Sequence, residues 1–267
     1  MEIAITSSPR EASRFAAQFV AGVVRANPAA VLGLATGGTP LDLYRELIRM
    51  HREEGLRFSG CTAFNLDEYV GLGHGHPASY RRFMEEHFFQ HLDFRPVNIR
   101  IPDGTAPEVA AHCAGYERAI AEAGGIDVQI LGIGSDGHIG FNEPGSSLGS
   151  RTRIKSLTER TRADNARYFA PGEEVPRHVI TMGIGTILQA RSVVLLAFGE
   201  RKAGAVAAMV EGPVTAMVPA SALQWHPVVK VLVDEAAASA LARRDYYREV
   251  FANKPDWQRW EGAPSPD

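Results

Sequence analysis

The run Val31-Leu32-Gly33-Leu34-Ala35, followed directly by Thr36-Gly37-Gly38-Thr39-Pro40, decides the reading of the fold. Its first half is apolar without alternation. A strand with one wet face would alternate, so this one is expected to be covered on both faces, as in a parallel sheet. The glycine pair and the proline then interrupt the strand. From Leu41 to His51 the apolar residues return at helical spacing. Strand, tight loop and helix make the repeating unit of a doubly wound α/β fold.

The same alternation extends outward. Ile3 to Thr6 reads as a strand, and Ser8-Pro9-Arg10-Glu11 as a capping box with proline at the first helical position. The helix that follows puts Phe15, Phe19 and Val23 on one face and should end near Asn27-Pro28. Further strands are expected at Thr62 to Asn65, Val128 to Ile133, Val179 to Met182, Val193 to Ala197 and Val228 to Val233. Helices are expected at Ser79 to Phe89, Pro107 to Ala123 and Arg201 to Val210. A last helix should begin just after Asp234-Glu235, an acidic start that suits the helix dipole, and run to about Phe251. No linker, repeat or low-complexity block breaks the chain. The expectation is one Rossmann-like α/β domain over 1–267 with a mostly parallel central sheet and a disordered tail at about 262–267.

Composition narrows the function classes. The 267 residues are 45% hydrophobic and 22% charged, ordinary values for a chain with a buried core. The formal net charge of -3 leaves no basic excess for a nucleic acid, although a small anion needs only a few local cations. No stretch approaches the roughly 18 apolar residues of a membrane span. The N-terminus lacks the basic segment and long apolar core of a signal peptide. Cys61 and Cys113 form no CxxC pair and read as reduced, packed thiols. A cytoplasmic protein is expected.

Three loops carry chemistry, each placed after an expected strand, where ligands of such sheets bind. Thr36-Gly37-Gly38-Thr39-Pro40 offers close backbone approach, a helix N-terminus and two hydroxyls, which together suit a phosphate. It is neither a Walker A sequence nor the GxGxxG of dinucleotide binders, and an ordinary tight turn would look the same. Asn65-Leu66-Asp67-Glu68-Tyr69 brings two adjacent carboxylates that must point different ways, so only one can face a pocket. The third runs from Gly134-Ser135-Asp136-Gly137-His138 to Phe141-Asn142-Glu143-Pro144. A histidine between two carboxylates is an acid/base unit, one acid fixing its tautomer while the ring moves a proton near neutral pH. His74-Gly75-His76 has no third ligand at a recognisable spacing and reads as a neutral loop pair. Arg167 and Lys202 supply candidate cations for a phosphate.

These residues together resemble the glucosamine-6-phosphate deaminase family. The matching blocks are Leu34 to Pro40, Asn65 to Tyr69, Gly134 to Pro144, Ser150 to Arg153, Thr161 to Phe169 and Thr181 to Thr186, in the same order along nearly the whole chain. The resemblance implies a doubly wound α/β enzyme that converts glucosamine 6-phosphate and water to fructose 6-phosphate and ammonia in amino-sugar catabolism. It also implies a hydrolase-class assignment, with no metal and no organic cofactor. Carried over by position, His138 would assist ring opening, with Asp136 and Glu143 orienting it. Asp67 would move the proton between C2 and C1. Thr36, Gly37, Gly38, Thr39, Arg167 and Lys202 would hold the phosphate.

Some members of that family are hexamers activated by N-acetylglucosamine 6-phosphate bound between subunits. The corresponding positions here are Ser146, Ser147, Arg153, Lys155 and Tyr246, and a surface or subunit contact by Arg153 and Lys155 is the alternative. A monomer and a homo-oligomer both remain open. The expected partner is a small sugar phosphate, with no nucleic acid and no membrane. Two rivals share the architecture. A 6-phosphogluconolactonase would hydrolyse a lactone and has no use for an enolising base such as Asp67. Sugar-sensing domains of transcription regulators carry an attached DNA-binding helix pair, for which the sheet beginning at Ile3 leaves no room.

Overall fold

The computed structural model describes residues 1–255. The tail expected at about 262–267 lies outside the described residues. In chain order the elements are β1 (Glu2–Thr6), α1 (Pro9–Ala26), β2 (Val31–Leu34), α2 (Leu41–Glu54), β3 (Thr62–Asn65), β4 (Asp67–Tyr69), α3 (Tyr80–His87), β5 (Ile99–Arg100) and α4 (Val109–Glu122). They continue as β6 (Val128–Gly132), β7 (Arg153–Ser156), α5 (Glu159–Asn165), β8 (His178–Thr181), α6 (Ile184–Leu188), β9 (Ser192–Ala197), α7 (Ala203–Val210), β10 (Val229–Asp234) and α8 (Arg244–Ala252).

Seven strands form the central sheet in the order β1-β10-β9-β6-β2-β3-β5, and every ladder in it is parallel. The α/β reading therefore holds. The physical cause is the run of apolar strands: all four residues of β2 and all six of β9 are buried, as a strand covered on both faces must be. Helix α1 packs on α2 and on β1, β9 and β10, and α8 covers β1. Each fully buried leucine, isoleucine or phenylalanine in such a core contributes about 2 kcal/mol.

The capping box at α1 forms as expected in its first half. Ser8 Oγ accepts from Glu11 N at 3.3 Å. The Glu11 carboxylate reaches back one residue further, to Ser7 N at 2.8 Å and Ser7 Oγ at 2.7 Å. Proline occupies the first helical position.

Chain order shows where the crevice lies. From β2 the chain moves to β3 and β5, then returns to the other side of β2 as β6. The loops after β2 and β6 thus diverge at the carboxyl edge, the switch point where doubly wound sheets bind ligands. They are the loops 35–40 and 133–152.

Two expectations are corrected. Val179 to Met182 does not join the parallel sheet. As β8 it is the centre of a separate antiparallel sheet, β4-β8-β7. The final helix starts at Arg244, not after Asp234-Glu235. Asp234 caps other groups: its carboxylate accepts from Ala237 N at 2.8 Å and from Gly199 N at 3.0 Å, which holds the following residues in turns. Among the described residues no helix is long and apolar enough to cross a membrane. Cys61 and Cys113 are buried and form no disulfide.

Candidate active site

Strand β3 delivers its end to the crevice. Leu66 N donates to Leu34 O at 2.9 Å, the last bond to the parallel sheet, and Met182 N then donates to Leu66 O at 2.7 Å. The chain crosses at this residue into the antiparallel sheet. The first position of β4 is Asp67, paired with Thr181 of β8.

The two adjacent carboxylates separate as their chemistry requires. Glu68 is 1% exposed and is fully engaged. Its Oε1 accepts from Tyr69 N at 2.9 Å and Tyr80 N at 3.0 Å, and its Oε2 from Arg81 N at 2.9 Å. It therefore anchors the start of α3, beside the Ser79 cap. Asp67, at 5% exposure, lies beneath the loop after β6. Burial, reinforced by the neighbouring Glu68, pushes its carboxyl up to about 8. A carboxylate that keeps a proton this readily is a competent base near neutral pH.

The loop after β6 brings the histidine. His138 Nδ1 lies 2.7 Å from Asp136 Oδ1, and His138 N donates to the same oxygen at 3.2 Å. The Asp136 carboxyl is pulled down to about 2, chiefly by His138. Contact with the Asp136 carboxylate orients the ring. Glycine is required at 134: a Cβ there would stand 2.3 Å from the His138 ring. The loop folds tightly over the base as well. A Cβ on Gly140, whose φ is +55°, would lie 2.9 Å from Thr181 Oγ1 and 3.7 Å from Asp67 Oδ2.

Glu143 is buried close by, but its hydrogen bonds go elsewhere than His138. Its Oε1 accepts from Thr158 Oγ1 at 3.1 Å and from the hydroxyl of Thr161. Both threonines begin α5, so Glu143 ties the loop to the segment that carries Arg167. Asn142, fully buried, donates to Ile139 O at 2.9 Å and Met182 O at 2.8 Å, and accepts from Arg153 Nη1 at 2.8 Å.

The phosphate candidates sit around the crevice. Gly37 (φ +94°) and Gly38 face open space on the side where a side chain would stand. No side chain caps the N-terminus of α2, so its first N–H groups keep their positive field. Lys202 lies in a short 3-10 turn after β9 and is half-buried. Burial lowers its ammonium, and Arg201, Asp136, Asp164 and Arg167 all act on it, which places it near both Asp136 and Arg167. Arg167 stands in a 3-10 turn from Ala166 to Tyr168, its guanidinium over the Tyr168 ring.

Of the remaining candidates, Arg153 and Lys155 lie two residues apart on β7. Ser146 is buried and Ser147 exposed. Tyr246 is 56% exposed on α8, which packs on β1, so one chain does not bring it to β7. A cavity of about 350 Å³ opens between α4 and β7, lined among others by Cys113, Glu117, Arg151 and Arg153. Among the described residues no three His, Cys, Asp or Glu side chains converge as a metal site. His74 and His76 are partnered by acids, Asp103 at 3.6 Å and Glu173 at 2.7 Å.

The sequence reading gave no role to Thr158, Thr161 or Thr181. Only the S/T-x-x spacing at Thr158 and Thr161 hinted at a helix start, and Thr158 does cap α5 by accepting from Thr161 N.

Comparison with known proteins gives the same picture. The family described as glucosamine-6-phosphate isomerases/6-phosphogluconolactonase matches residues 7–232. A glucosamine-6-phosphate deaminase of Pseudarthrobacter chlorophenolicus is 55% identical over 258 residues, covering 97% of this chain and 99% of that one. One from Streptomyces avermitilis is 53% identical over 259 residues, with the same coverage. Among solved structures, a monomeric glucosamine-6-phosphate deaminase superposes with a TM-score of 0.87 at 47% identity, over 90% of this chain and 100% of that one. The 6-phosphogluconolactonase of Trypanosoma brucei, at 22% identity and a TM-score of 0.73, shares the fold. These findings overturn the hydrolase-class expectation, since the relatives are described as isomerases and deaminases. Fold, motif order and relatives together place the chain in the glucosamine-6-phosphate isomerase/6-phosphogluconolactonase family.

Proposed function

We propose that the chain isomerises glucosamine 6-phosphate and releases its nitrogen, giving fructose 6-phosphate and ammonia. The observation that carries this reading is Asp67: a buried carboxylate with a raised proton affinity, covered by the loop that presents His138. A 1,2-proton shift depends on a base that takes a proton from carbon, whereas lactone hydrolysis removes no proton from carbon. Relatives 55% identical over nearly the whole chain are deaminases, and the 6-phosphogluconolactonase resemblance is one of fold.

In this reading the pyranose opens first. His138 takes the proton of the anomeric hydroxyl and gives one to the ring oxygen, with Asp136 holding the imidazole in place. Asp67 then removes the proton from C2 and returns it at C1 through an enolamine. The product is a 2-imine, which water hydrolyses, so that C–N cleavage follows an isomerisation. This order of steps explains why the family is described by its isomerases. The phosphate does not react. Held by Thr36, Gly37, Gly38, Thr39, Arg167 and Lys202, it fixes C1 and C2 over Asp67 and so lowers the barrier. The role of Glu143 is to hold the loop and α5 together through Thr158 and Thr161, and so to shape the site around His138.

Control by N-acetylglucosamine 6-phosphate is a second reading, supported by one observation. Arg153 has no carboxylate within ion-pair distance among the described residues, and Lys155 follows it on β7. The proposed setting is N-acetylglucosamine catabolism in the cytoplasm, which two buried, unpaired thiols suit.

The test is ammonia release from glucosamine 6-phosphate by the purified chain, with and without N-acetylglucosamine 6-phosphate, in the presence of a chelator. Ammonia in step with fructose 6-phosphate is expected. Hydrolysis of 6-phosphogluconolactone without ammonia would overturn the reading. An unchanged rate with the effector would remove the regulatory part.

A further inference from the structure

We infer that Arg153 is a positioning residue for the loop that carries Asp136, His138 and Glu143, acting through Asn142. The inference rests on the proposed reaction for its kinetic readout only.

Both polar atoms of the Asn142 amide have partners, and its orientation is decided. Its nitrogen donates to two carbonyls, Ile139 O and Met182 O, so the other end must be oxygen. That oxygen belongs to a side chain with 0% exposure, and a buried acceptor requires a donor. The donor is Arg153 Nη1 at 2.8 Å. The same nitrogen also reaches Arg151 O at 3.3 Å, which keeps the guanidinium against the residues just before β7.

Register places this bond relative to the base. Thr181 of β8 pairs with Asp67 on one side and with Arg153 on the other. Residues directly opposite in neighbouring strands present their side chains on the same face. Arg153, Thr181 and Asp67 therefore form one row across the antiparallel sheet. The loop lies over this row in the same order. Asn142 accepts from Arg153, Phe141 N donates to Thr181 Oγ1 at 3.1 Å, and a Cβ on Gly140 would stand 3.7 Å from Asp67 Oδ2. Two residues before Gly140 is His138, and directly after Asn142 is Glu143. A shift of the Asn142 end would therefore move the histidine relative to the base. Displacements of about 1 Å at this kind of site cost up to about a hundredfold in rate.

This role differs from effector binding. It predicts that Arg153 matters to turnover when no effector is present, and that its influence depends on Asn142.

The full chain is compared with Arg153→Met, Arg153→Lys and Asn142→Ala, and with Arg153→Met combined with Asn142→Ala. Backbone hydrogen exchange at His138, Phe141 and Asn142 is read alongside kcat and KM for glucosamine 6-phosphate. Arg153→Met is expected to speed exchange at these amides and to lower kcat about tenfold. KM should stay within about twofold, because the phosphate ligands are untouched. Arg153→Lys, which still offers one donor, should recover most of both. In the Asn142→Ala background the arginine substitution should cost less than about twofold more.

Three results would overturn the inference: unchanged exchange in Arg153→Met, a kcat loss of the same size with or without Asn142, or a loss confined to KM. If Arg153→Met does not fold, Arg153→Gln, which lacks the guanidinium, is judged by the same criteria. If the parent chain releases no ammonia, the proposed reaction fails, and the exchange measurements still decide the role of Arg153.

Discussion

Asp67 sits directly across the β4–β8 ladder from Thr181, and the Thr181 hydroxyl accepts the Phe141 N–H of the loop after β6. One residue of the small sheet thus aligns the candidate base and the candidate acid/base loop. Asp67 and Phe141, on segments far apart in the chain, thus share Thr181 as a reference point. The parallel sheet supplies the crevice, and the antiparallel sheet sets the spacing within it.

The raised Asp67 carboxyl predicts an opposed pair of pH effects. A base must be ionised, so kcat/KM should rise with pH and level off above about 8. Stability should move the other way. The unfolded carboxyl ionises near 3.8, while the folded one keeps its proton up to about 8. Between those values the folded state binds more protons, so stability falls as pH rises. Asp67→Asn cannot ionise. It should lose turnover by about a thousandfold or more, yet melt higher than the parent at pH 9, with the gap shrinking towards pH 4. Near-parental turnover would remove Asp67 as the base, and a lower melting point at pH 9 would contradict the burial account.

His138→Gln should lower kcat by about a hundredfold or more, the usual scale of a lost proton-transfer group. A substrate analogue already in open-chain form should suffer less, because it bypasses ring opening. Equal losses on closed and open forms would place His138 in a later step. Asp136→Asn removes the carboxylate 2.7 Å from the ring and should give a smaller loss in the same direction.

Thr161→Val removes a hydroxyl donor from the buried Glu143 carboxylate. Leaving such an acceptor short of a donor costs about 1–3 kcal/mol. The melting temperature should fall and exchange at the start of α5 should rise, while Thr161→Ser keeps both near the parent. Equal stability of the valine and serine variants would show that the bond to Glu143 contributes nothing.

Two glycines should respond differently to alanine. At Gly140 the positive φ costs about 1–2 kcal/mol, and the new Cβ would press on a Thr181 hydroxyl that already accepts the Phe141 N–H. Gly140→Ala should therefore lose both stability and kcat. At Gly38 nothing lies within 4 Å, so Gly38→Ala should melt with the parent and only raise KM by narrowing the loop. A melting point unchanged by Gly140→Ala would show that the loop is not packed on this row.

Lys202→Met should raise KM for glucosamine 6-phosphate by about tenfold or more with a smaller change in kcat, since a phosphate–ammonium contact binds ground and transition states alike. Glucosamine without phosphate should show little difference between the two proteins. A loss confined to kcat would move Lys202 from binding to chemistry.

The strands of the parallel sheet were legible because each is buried on both faces and so reads as an unbroken apolar run, as at Val31 to Leu34 and Ser192 to Ala197. Candidate side chains were legible by type and by position after those strands: Asp67, Asp136 and His138 stand at the carboxyl edge of the sheet. The strands β4, β5 and β7 were not. Their sequences, Asp-Glu-Tyr, Ile-Arg and Arg-Ile-Lys-Ser, are short and polar, and carry no periodic signal. They are strands because β8 or β3 offers them a ladder.

By itself, then, the amino-acid order determined the alternation of strands and helices, the parallel sheet and the loops in which chemistry must lie, since these follow from local hydrophobic pattern and turn residues. Only the tertiary structure decided which of two adjacent carboxylates caps α3 and which lies beneath the loop after β6. It also decided that Glu143 is held by Thr158 and Thr161, and that Arg153 completes the buried amide of Asn142. Those outcomes rest on hydrogen bonds between segments distant in sequence. A buried donor or acceptor takes the partner that the fold brings within about 3 Å, and no local pattern records which one that will be.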